Sequence, residues 1–235
     1  MTEAKMQTVT ITMDGAKVQA PKGTSVLNAA IQFGVCIPHL CYLPNHDEIG
    51  ACRLCIVENV KNGQGKVTTS CTLEVREGMV VRTNTDKIRN LRRNIAELLV
   101  SEAPNSRAIQ DIAVRCGVKE VRYPFRNEKC VLCGRCVKIC DGMWQAKAIG
   151  FVGRGRDRRV DFPFGKRPDY CKMCNSCIEL CPMTFTPCEG PMEKGKERLC
   201  GKCEAQTMIN AAFPDTCVMC DLGRGFSCAR QIGAF

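Results

Sequence analysis

Eight cysteines in this sequence repeat one pattern twice, C-x2-C-x2-C-x3-C. Where two such runs occur together, the first three cysteines of each run hold one 4Fe-4S cluster and the fourth ligates the other cluster. Structural zinc uses four ligands and rarely arranges cysteines as two triplets plus one. The spacing therefore predicts two interleaved clusters. Their ligands are predicted to be Cys130, Cys133, Cys136 and Cys181 for one, and Cys171, Cys174, Cys177 and Cys140 for the other.

The full set of twenty cysteines points to metal binding in a reducing compartment. A secreted disulfide scaffold begins with a charged and apolar signal segment, and the first 15 residues do not resemble one. Reduced thiolates bind soft metals. No apolar run approaches the roughly 18 residues of a membrane-spanning helix. We therefore expect a cytoplasmic protein with no membrane span, in which metal centres supplement a core poor in aromatic residues, 6% of the chain.

The formal net charge of +10 does not by itself indicate a nucleic-acid partner. Thiolate-ligated clusters add negative charge, so part of the excess is compensation. A zinc-finger protein would set its basic residues along a recognition helix with finger spacing, which this sequence lacks.

Residues 1–83 have the element order of a β-grasp sheet. Alternating residues over 7–20 surround Asp14-Gly15, which suits a type I′ hairpin turn. A helix is predicted from Thr24 or Ser25 to a stop at Gly34. Further strands are predicted at 55–60, 67–71 and 79–82. The apolar residues that recur at helical spacing are Val26, Ala29, Ala30 and Phe33.

Four more cysteines fall within this β-grasp region. Three come from one loop and its edge, where Gly50 and Ala51 allow close approach of the chain and backbone N–H groups can point at sulfur. The fourth follows the predicted second strand pair. This ferredoxin-like set comprises Cys41, Cys52, Cys55 and Cys71.

At these residues the chain resembles the N-terminal 2Fe-2S domain shared by the large iron–sulfur subunit of complex I, iron-only hydrogenases and the diaphorase subunits of NAD-reducing hydrogenases. The resemblance implies that this set holds one 2Fe-2S cluster, and it leaves Cys36 unused. A Rieske centre would need two histidines in a different spacing. The only histidines, His39 and His46, are therefore expected to be structural or solvated.

The resemblance extends over most of residues 1–185. Asp141 stands where the usual motif has proline, as in these relatives, and residues 148–155 resemble the strand and turn between their two cluster runs. The relatives usually carry one further cluster held by one histidine and three cysteines. Residues 101–128 contain only Cys116 and no histidine, so that cluster is expected to be missing.

Two helices are predicted between the cysteine regions. One covers residues 85–100, with an apolar face formed by Ile88, Leu91, Ile95, Leu98 and Leu99. Its arginines, Arg89, Arg92 and Arg93, are expected on a solvated face, and a docking surface is the alternative. The second helix lies around 108–115. Cys116 is expected to be a small buried residue.

The last 50 residues carry six cysteines that the resemblance does not cover: Cys188, Cys200, Cys203, Cys217, Cys220 and Cys228. Two C-x2-C pairs separated by 13 residues have nearly zinc-ribbon spacing. The sequence favours two answers equally: zinc, or a third 4Fe-4S cluster. The candidate ligands are Cys200, Cys203, Cys217 and Cys220.

These observations predict an α+β protein of four parts: a β-grasp 2Fe-2S domain at 1–83, a helical connector at 84–128, a bacterial-type domain with two 4Fe-4S clusters at 129–185, and a metal-bound tail at 186–235. No phosphate-cradling G-x-G-x-x-G follows a predicted strand. Hydrogenases with this front end continue into a catalytic domain, so we expect no hydrogen-making site and no catalytic residue within these 235 residues.

The function that fits best is an electron relay between a flavin and NADH-binding subunit and a catalytic subunit, such as a hydrogenase, a formate dehydrogenase or another low-potential anaerobic reductase. Two alternatives stay open. One is a free multi-cluster ferredoxin, although mobile ferredoxins are typically acidic. The other is a basic zinc protein that binds nucleic acid through Arg154, Arg156, Arg158 and Arg159.

Overall fold

The structure, a computed structural model, describes residues 7–185 except 45, 47, 127–129, 143–144, 172 and 175. The described residues form two units. The first contains residues up to 42, 48–98 and 112–122, and the second contains 43–47, 99–111 and the residues from 123 on. Within the described ranges, every helix is too short or too polar to span a bilayer.

The first unit opens with the predicted hairpin. Strand β1, Thr8–Met13, pairs antiparallel with β2, Ala16–Pro21. Asp14 (φ 48°) and Gly15 (φ 89°) are both left-handed, as a type I′ turn requires. The Asp14 carboxylate also accepts hydrogen bonds from the backbone N–H of Thr83, at 2.7 Å, and from the Thr83 hydroxyl. The turn is thereby tied to a residue that lies 69 positions later in the chain.

Helix α1, Val26–Gln32, follows the hairpin. Ser25 is the N-cap, and its hydroxyl accepts a hydrogen bond from the Asn28 N–H at 3.2 Å. Val26, Ala29 and Ala30 are fully buried against the sheet core. Phe33, which shares their helical spacing, is 48% exposed because the helix ends one residue before it.

Three further strands complete a five-stranded mixed sheet in the order β2-β1-β5-β3-β4. They are β3, Ile56–Lys61, β4, Gln64–Thr69, and β5, Val80–Arg82, close to the predicted ranges. β5 lies parallel to β1 and antiparallel to β3. The turn between β3 and β4 has two left-handed residues, Asn62 and Gly63, and places Lys61 opposite Gln64. The β-grasp prediction is therefore confirmed.

Helix α2, Asp86–Glu102, matches the predicted helix, but only Ile88 of the predicted apolar face is fully buried. Leu91 and Leu98 are exposed at 36% and 49%, whereas Arg92 is only 6% exposed. Ile88, Arg92 and Ala96 form the buried row, one residue every four. The expectation that Arg92 lies on a solvated face is therefore also wrong, because its guanidinium finds carbonyl acceptors inside the unit.

Helix α3, Arg107–Arg115, is the second predicted helix. Arg122, which follows α3, binds Glu97 of α2. Its guanidinium and its backbone N–H both donate to the Glu97 carboxylate, and Arg122 Nη2 lies 2.7 Å from Glu97 Oε2. Glu97 is 3% exposed. These hydrogen bonds hold the pKa of Glu97 below its usual range, so the pair is ionic at neutral pH.

The second unit contains α4, Arg135–Gly142, a hairpin of β6, Gly150–Val152, and β7, Arg159–Asp161, and the short helix α5, Ser176–Glu179. The predicted strand and turn at 148–155 correspond to β6 and the turn after it. The buried Ser106 hydroxyl donates to the carbonyl oxygen of Pro182 at 3.1 Å. This bond ties the chain before α3 to the residue that follows the last cysteine of the second run.

Candidate metal centres

The sheet register brings two of the β-grasp thiols to the same end of one hairpin. Ile56 pairs with Thr69, so Cys55 comes one residue before β3 and Cys71 two residues after β4. The Cys55 carbonyl oxygen accepts hydrogen bonds from the backbone N–H and the hydroxyl of Ser70, at 2.9 and 2.7 Å. Cys55 and Cys71 are each 1% exposed.

The loop before β3 supplies the other two thiols. The backbone N–H of Cys52 donates to Cys41 Sγ at 3.5 Å, and Cys41 is 1% exposed. Gly50 has φ +64°, and a Cβ there would meet Thr72 Cγ2 at 3.2 Å. A side chain at position 50 would therefore strain the backbone and crowd Thr72.

The four thiols interact as two pairs. A hydrogen bond from the Cys52 thiol lowers the pKa of Cys41 to about 6, and one from the Cys71 thiol lowers the pKa of Cys55 to about 6. The partner thiols, which donate these bonds, have raised pKa values. Cys41 and Cys52 also contribute to the raised pKa of Cys71, so the two pairs interact with each other. Four soft sulfur donors in two adjacent pairs fit the four-cysteine ligation of a 2Fe-2S cluster.

The two predicted cysteine runs share one local backbone conformation. Leu132 and Met173 occupy the same position in their runs, directly before the second cysteine, and both have φ 52°. The left-handed residue turns the chain back on itself, and the Leu132 N–H donates to Cys130 Sγ at 3.4 Å. The two runs therefore have the same left-handed turn before their second cysteine.

In the first run, the thiols interact with the last cysteine of the second run. Burial and the charges of Cys181 and Cys130 raise the pKa of Cys133 to about 11, against the lowering effect of a hydrogen bond from the Arg135 backbone. Burial likewise raises the pKa of Cys136 to about 12, with Cys133, Cys181 and Cys130 as the next causes. The structure thus brings together the four residues predicted for one cluster.

The reciprocal group forms around the second run. Burial raises the pKa of Cys177, and the charges of Cys174, Cys140 and Cys171 add to the shift. Cys140 Sγ accepts a hydrogen bond from the Ala148 N–H at 3.2 Å. These influences connect the fourth cysteine of each run with the other run, as the sequence predicts, and four sulfur donors in each group would fit a 4Fe-4S cluster.

Several cysteines and both histidines stand apart from these groups. Cys36 is exposed and Cys116 is half-buried. His39 Nδ1 lies 2.9 Å from the Ile37 carbonyl oxygen, and His46 Nδ1 lies 2.9 Å from that of Pro44. Within the described ranges, no three cysteine, histidine or carboxylate side chains lie close enough together to coordinate one single metal ion. The six tail cysteines lie outside the described residues.

Comparison with protein families gives each region its type. Residues 6–86 match the 2Fe-2S iron-sulfur cluster binding domain, and residues 129–185 match the 4Fe-4S dicluster domain. The chain is an iron–sulfur protein with these two domains in series. The α+β class, the order of the domains and the resemblance found in the sequence are therefore confirmed.

Relatives of this iron–sulfur protein are subunits of oxidoreductases. It is 30% identical over 209 residues to the NADP-reducing hydrogenase subunit HndD of Solidesulfovibrio fructosivorans. The matched region covers 75% of this chain and 35% of that one. It is 29% identical over 199 residues to the NADPH-Fe(3+) oxidoreductase subunit alpha of Geobacter sulfurreducens, covering 74% and 23%. The mitochondrial NADH-ubiquinone oxidoreductase 78 kDa subunit of Candida albicans is 27% identical over 209 residues, covering 76% and 28%.

A solved structure supports the same relationship. The crystal structure of an NAD+-reducing [NiFe]-hydrogenase in the H2-reduced state matches with a TM-score of 0.58 at 28% identity, over 66% of this chain and 74% of that one. The iron–sulfur protein spans about a third or less of the length of these curated relatives.

Sequence reasoning missed two buried arginines beside the thiols. Arg135 opens α4 between Cys133 and Cys136 and is 3% exposed, and its charge lowers the pKa of Cys133. Arg92 binds backbone carbonyls next to Cys55. The position of Arg135 inside a cysteine run was a usable signal. For Arg92 the signal was its spacing of four residues from Ile88.

Proposed function

We propose that this chain is an electron-relay subunit of a multisubunit, cytoplasmic oxidoreductase, passing electrons between a flavin and NADH-binding subunit and a catalytic subunit. The catalytic subunit is proposed to be a hydrogenase, a formate dehydrogenase or another low-potential reductase. The observation that carries the proposal is the presence of three separate thiol groups in one short chain. The relatives, which are named as subunits of NAD(P)H-linked oxidoreductases and hydrogenases, support it.

The proposed ligands are the cysteines of the three sets predicted from the sequence. Cys41, Cys52, Cys55 and Cys71 would hold a 2Fe-2S cluster; Cys130, Cys133, Cys136 and Cys181 one 4Fe-4S cluster; and Cys171, Cys174, Cys177 and Cys140 the other. Clusters held in this way take up and release single electrons.

The surrounding residues suit a carrier that must hold its clusters firmly. Burial of Cys41, Cys55 and Cys71 keeps water from the sulfurs of the first group. Backbone N–H groups, such as that of Ala148 to Cys140 Sγ, donate to sulfur and stabilise its negative charge. Both features are levers by which a protein sets a cluster's reduction potential.

Four parts are proposed for the chain: a 2Fe-2S domain at 1–83, a connector at 84–128, a dicluster domain at 129–185 and a metal-bound tail at 186–235. The tail is proposed to bind zinc or a third 4Fe-4S cluster through Cys200, Cys203, Cys217 and Cys220.

The first test is the content of iron, zinc and acid-labile sulfide per chain after anaerobic purification. About ten irons with one zinc are expected if the tail binds zinc, and about fourteen irons without zinc if the tail binds a cluster. Zinc without sulfide would refute the relay and favour the basic zinc protein.

A second test asks whether the chain works inside a complex. Affinity purification from its native cells is expected to recover a flavin-containing partner and a catalytic oxidoreductase subunit in fixed ratio. Recovery of the chain alone, with all its clusters reducible, would favour the free ferredoxin carrier instead.

A further inference from the structure

One buried cation lies beside the first thiol group. The Arg92 side chain reaches from α2 to the backbone that precedes and begins β3, and only 6% of the residue is exposed. Its Nε donates to the Leu54 carbonyl oxygen at 3.2 Å, and its Nη2 donates to the Ile56 carbonyl oxygen at 2.6 Å. An arginine is rarely buried to this extent unless its guanidinium has partners.

The two acceptors flank one cysteine. Leu54 and Ile56 are the neighbours of Cys55 in sequence, so the guanidinium fixes the peptide on both sides of that thiol. Ser70 holds the Cys55 carbonyl oxygen from the adjacent strand end. The three consecutive carbonyls from Leu54 to Ile56 are therefore all fixed by hydrogen bonds, which sets where the Cys55 sulfur can lie.

The surroundings of Arg92 contain thiols and the Asp14 carboxylate. Burial lowers the pKa of the Arg92 guanidinium, while the negative charges of Cys116 and Cys55 raise it. A guanidinium stays protonated in proteins, so the positive charge is retained. In a poorly screened interior this charge acts on neighbouring negative charge more strongly than a surface arginine can.

We propose that Arg92 is a positioning residue that fixes the Cys55 peptide and raises the reduction potential of the 2Fe-2S centre. Reduction adds one electron to a site already surrounded by thiolates, and a fixed buried cation favours that added charge. The inference rests on the proposed assignment of Cys55 as a ligand.

Arg92 substitutions separate its charge from its hydrogen bonds. Arg92→Lys keeps the charge but lacks the planar fork that reaches two carbonyls. Arg92→Gln and Arg92→Met remove the charge. Arg93→Gln is the matched control, because Arg93 is the next residue of α2, is exposed and bonds to Asn90 on its own helix.

The readout is a redox titration of the full chain, followed by electron paramagnetic resonance of the 2Fe-2S signal. In Arg92→Gln and Arg92→Met, the ratio of reduced to oxidised centre at a fixed potential is expected to fall about tenfold, which is ~59 mV for one electron. Arg92→Lys is expected to stay within about threefold, and Arg93→Gln to be unchanged. The 4Fe-4S signals of the same sample serve as an internal reference.

Equal potentials in the neutral variants and the wild type would overturn the inference. If both neutral variants lose the 2Fe-2S signal and Arg92→Lys keeps it at the wild-type potential, the requirement for charge stands. If Arg92→Lys loses it as well, the residue is only structural and the inference fails. A wild-type protein that shows no 2Fe-2S signal would refute the proposed function instead, so the two failures are distinguishable.

Discussion

The exchange of the fourth cysteine between the two runs can be tested with paired substitutions. Cys181 interacts with Cys133 and Cys136 of the first run, whereas Cys140 interacts with Cys177 of the second run. The variant Cys130→Ala with Cys181→Ala therefore removes two ligands from one group. The variant Cys130→Ala with Cys140→Ala removes one ligand from each group.

The expected magnitudes follow from this grouping. In the predicted arrangement, four cysteines hold each 4Fe-4S cluster. The first double variant is expected to keep one intact 4Fe-4S cluster of the two, and hence half of their combined spin intensity. The second is expected to keep neither. Any contribution from the tail cysteines is common to both variants and cancels in the comparison.

The assay is spin integration of the reduced, anaerobically purified protein, scaled to the 2Fe-2S signal of the same sample. Cys116→Ala is the control and is expected to keep both 4Fe-4S signals, because Cys116 lies outside the three groups. The reasoning is refuted if the Cys130 and Cys181 variant loses both signals while the Cys130 and Cys140 variant keeps one. Each run would then hold its own cluster.

Three further predictions concern stability. Leu27→Ala, at a fully buried position, is expected to lower the free energy of unfolding of the first unit by about 2–5 kcal/mol in denaturant titrations; a loss below about 1 kcal/mol would contradict the packing described. Gly153→Ala is expected to cost more than the left-handed strain of about 1–2 kcal/mol. A Cβ at Gly153 would lie 2.4 Å from the Asp157 carbonyl oxygen. The control Gly155→Ala meets nothing within 4 Å and should cost the strain alone. Equal losses of unfolding free energy in the two variants would contradict the close contact. The pKa of Glu97 is lowered by Arg122, so its ionised form stabilises the fold above the ordinary glutamate pKa of about 4.3. That contribution is lost as the pH falls through the folded pKa, so the difference in thermal midpoint between wild type and Glu97→Gln should shrink on acidification; a constant difference from about pH 7 to about pH 3 would refute it.

Spacing within a short run made the two C-x2-C-x2-C-x3-C runs readable as a dicluster domain, which the family match confirms, whereas the assignment of individual cysteines to clusters stays a prediction. The β-grasp strands were also readable, since Asp14-Gly15 and the alternating residues around it specify a hairpin locally. The tail cysteines gave no such answer: two C-x2-C pairs suit zinc and a cluster equally, and they remain a proposal.

The buried face of α2 could not be read from apolar periodicity alone. Leu91 and Leu98 match a helical stripe but are exposed, while Arg92 takes the inward position between Ile88 and Ala96. What decides the outcome is a tertiary contact: the carbonyls of Leu54 and Ile56 offer a cation two good acceptors. The spacing of four residues from Ile88 places Arg92 on the buried row, but the helix sequence does not contain the two acceptors.

The position of Cys71 relative to Cys55 depends on the pairing register of the β3–β4 hairpin. Its turn at Asn62 and Gly63 sets the pairing of every residue pair in the β3–β4 ladder, including Ile56 with Thr69 at the end away from the turn. A slip of one residue would carry Cys71 away from Cys55 and reverse the side of the sheet on which β4 side chains lie. A 2Fe-2S cluster held by Cys55 and Cys71 would therefore require this one alignment of the hairpin.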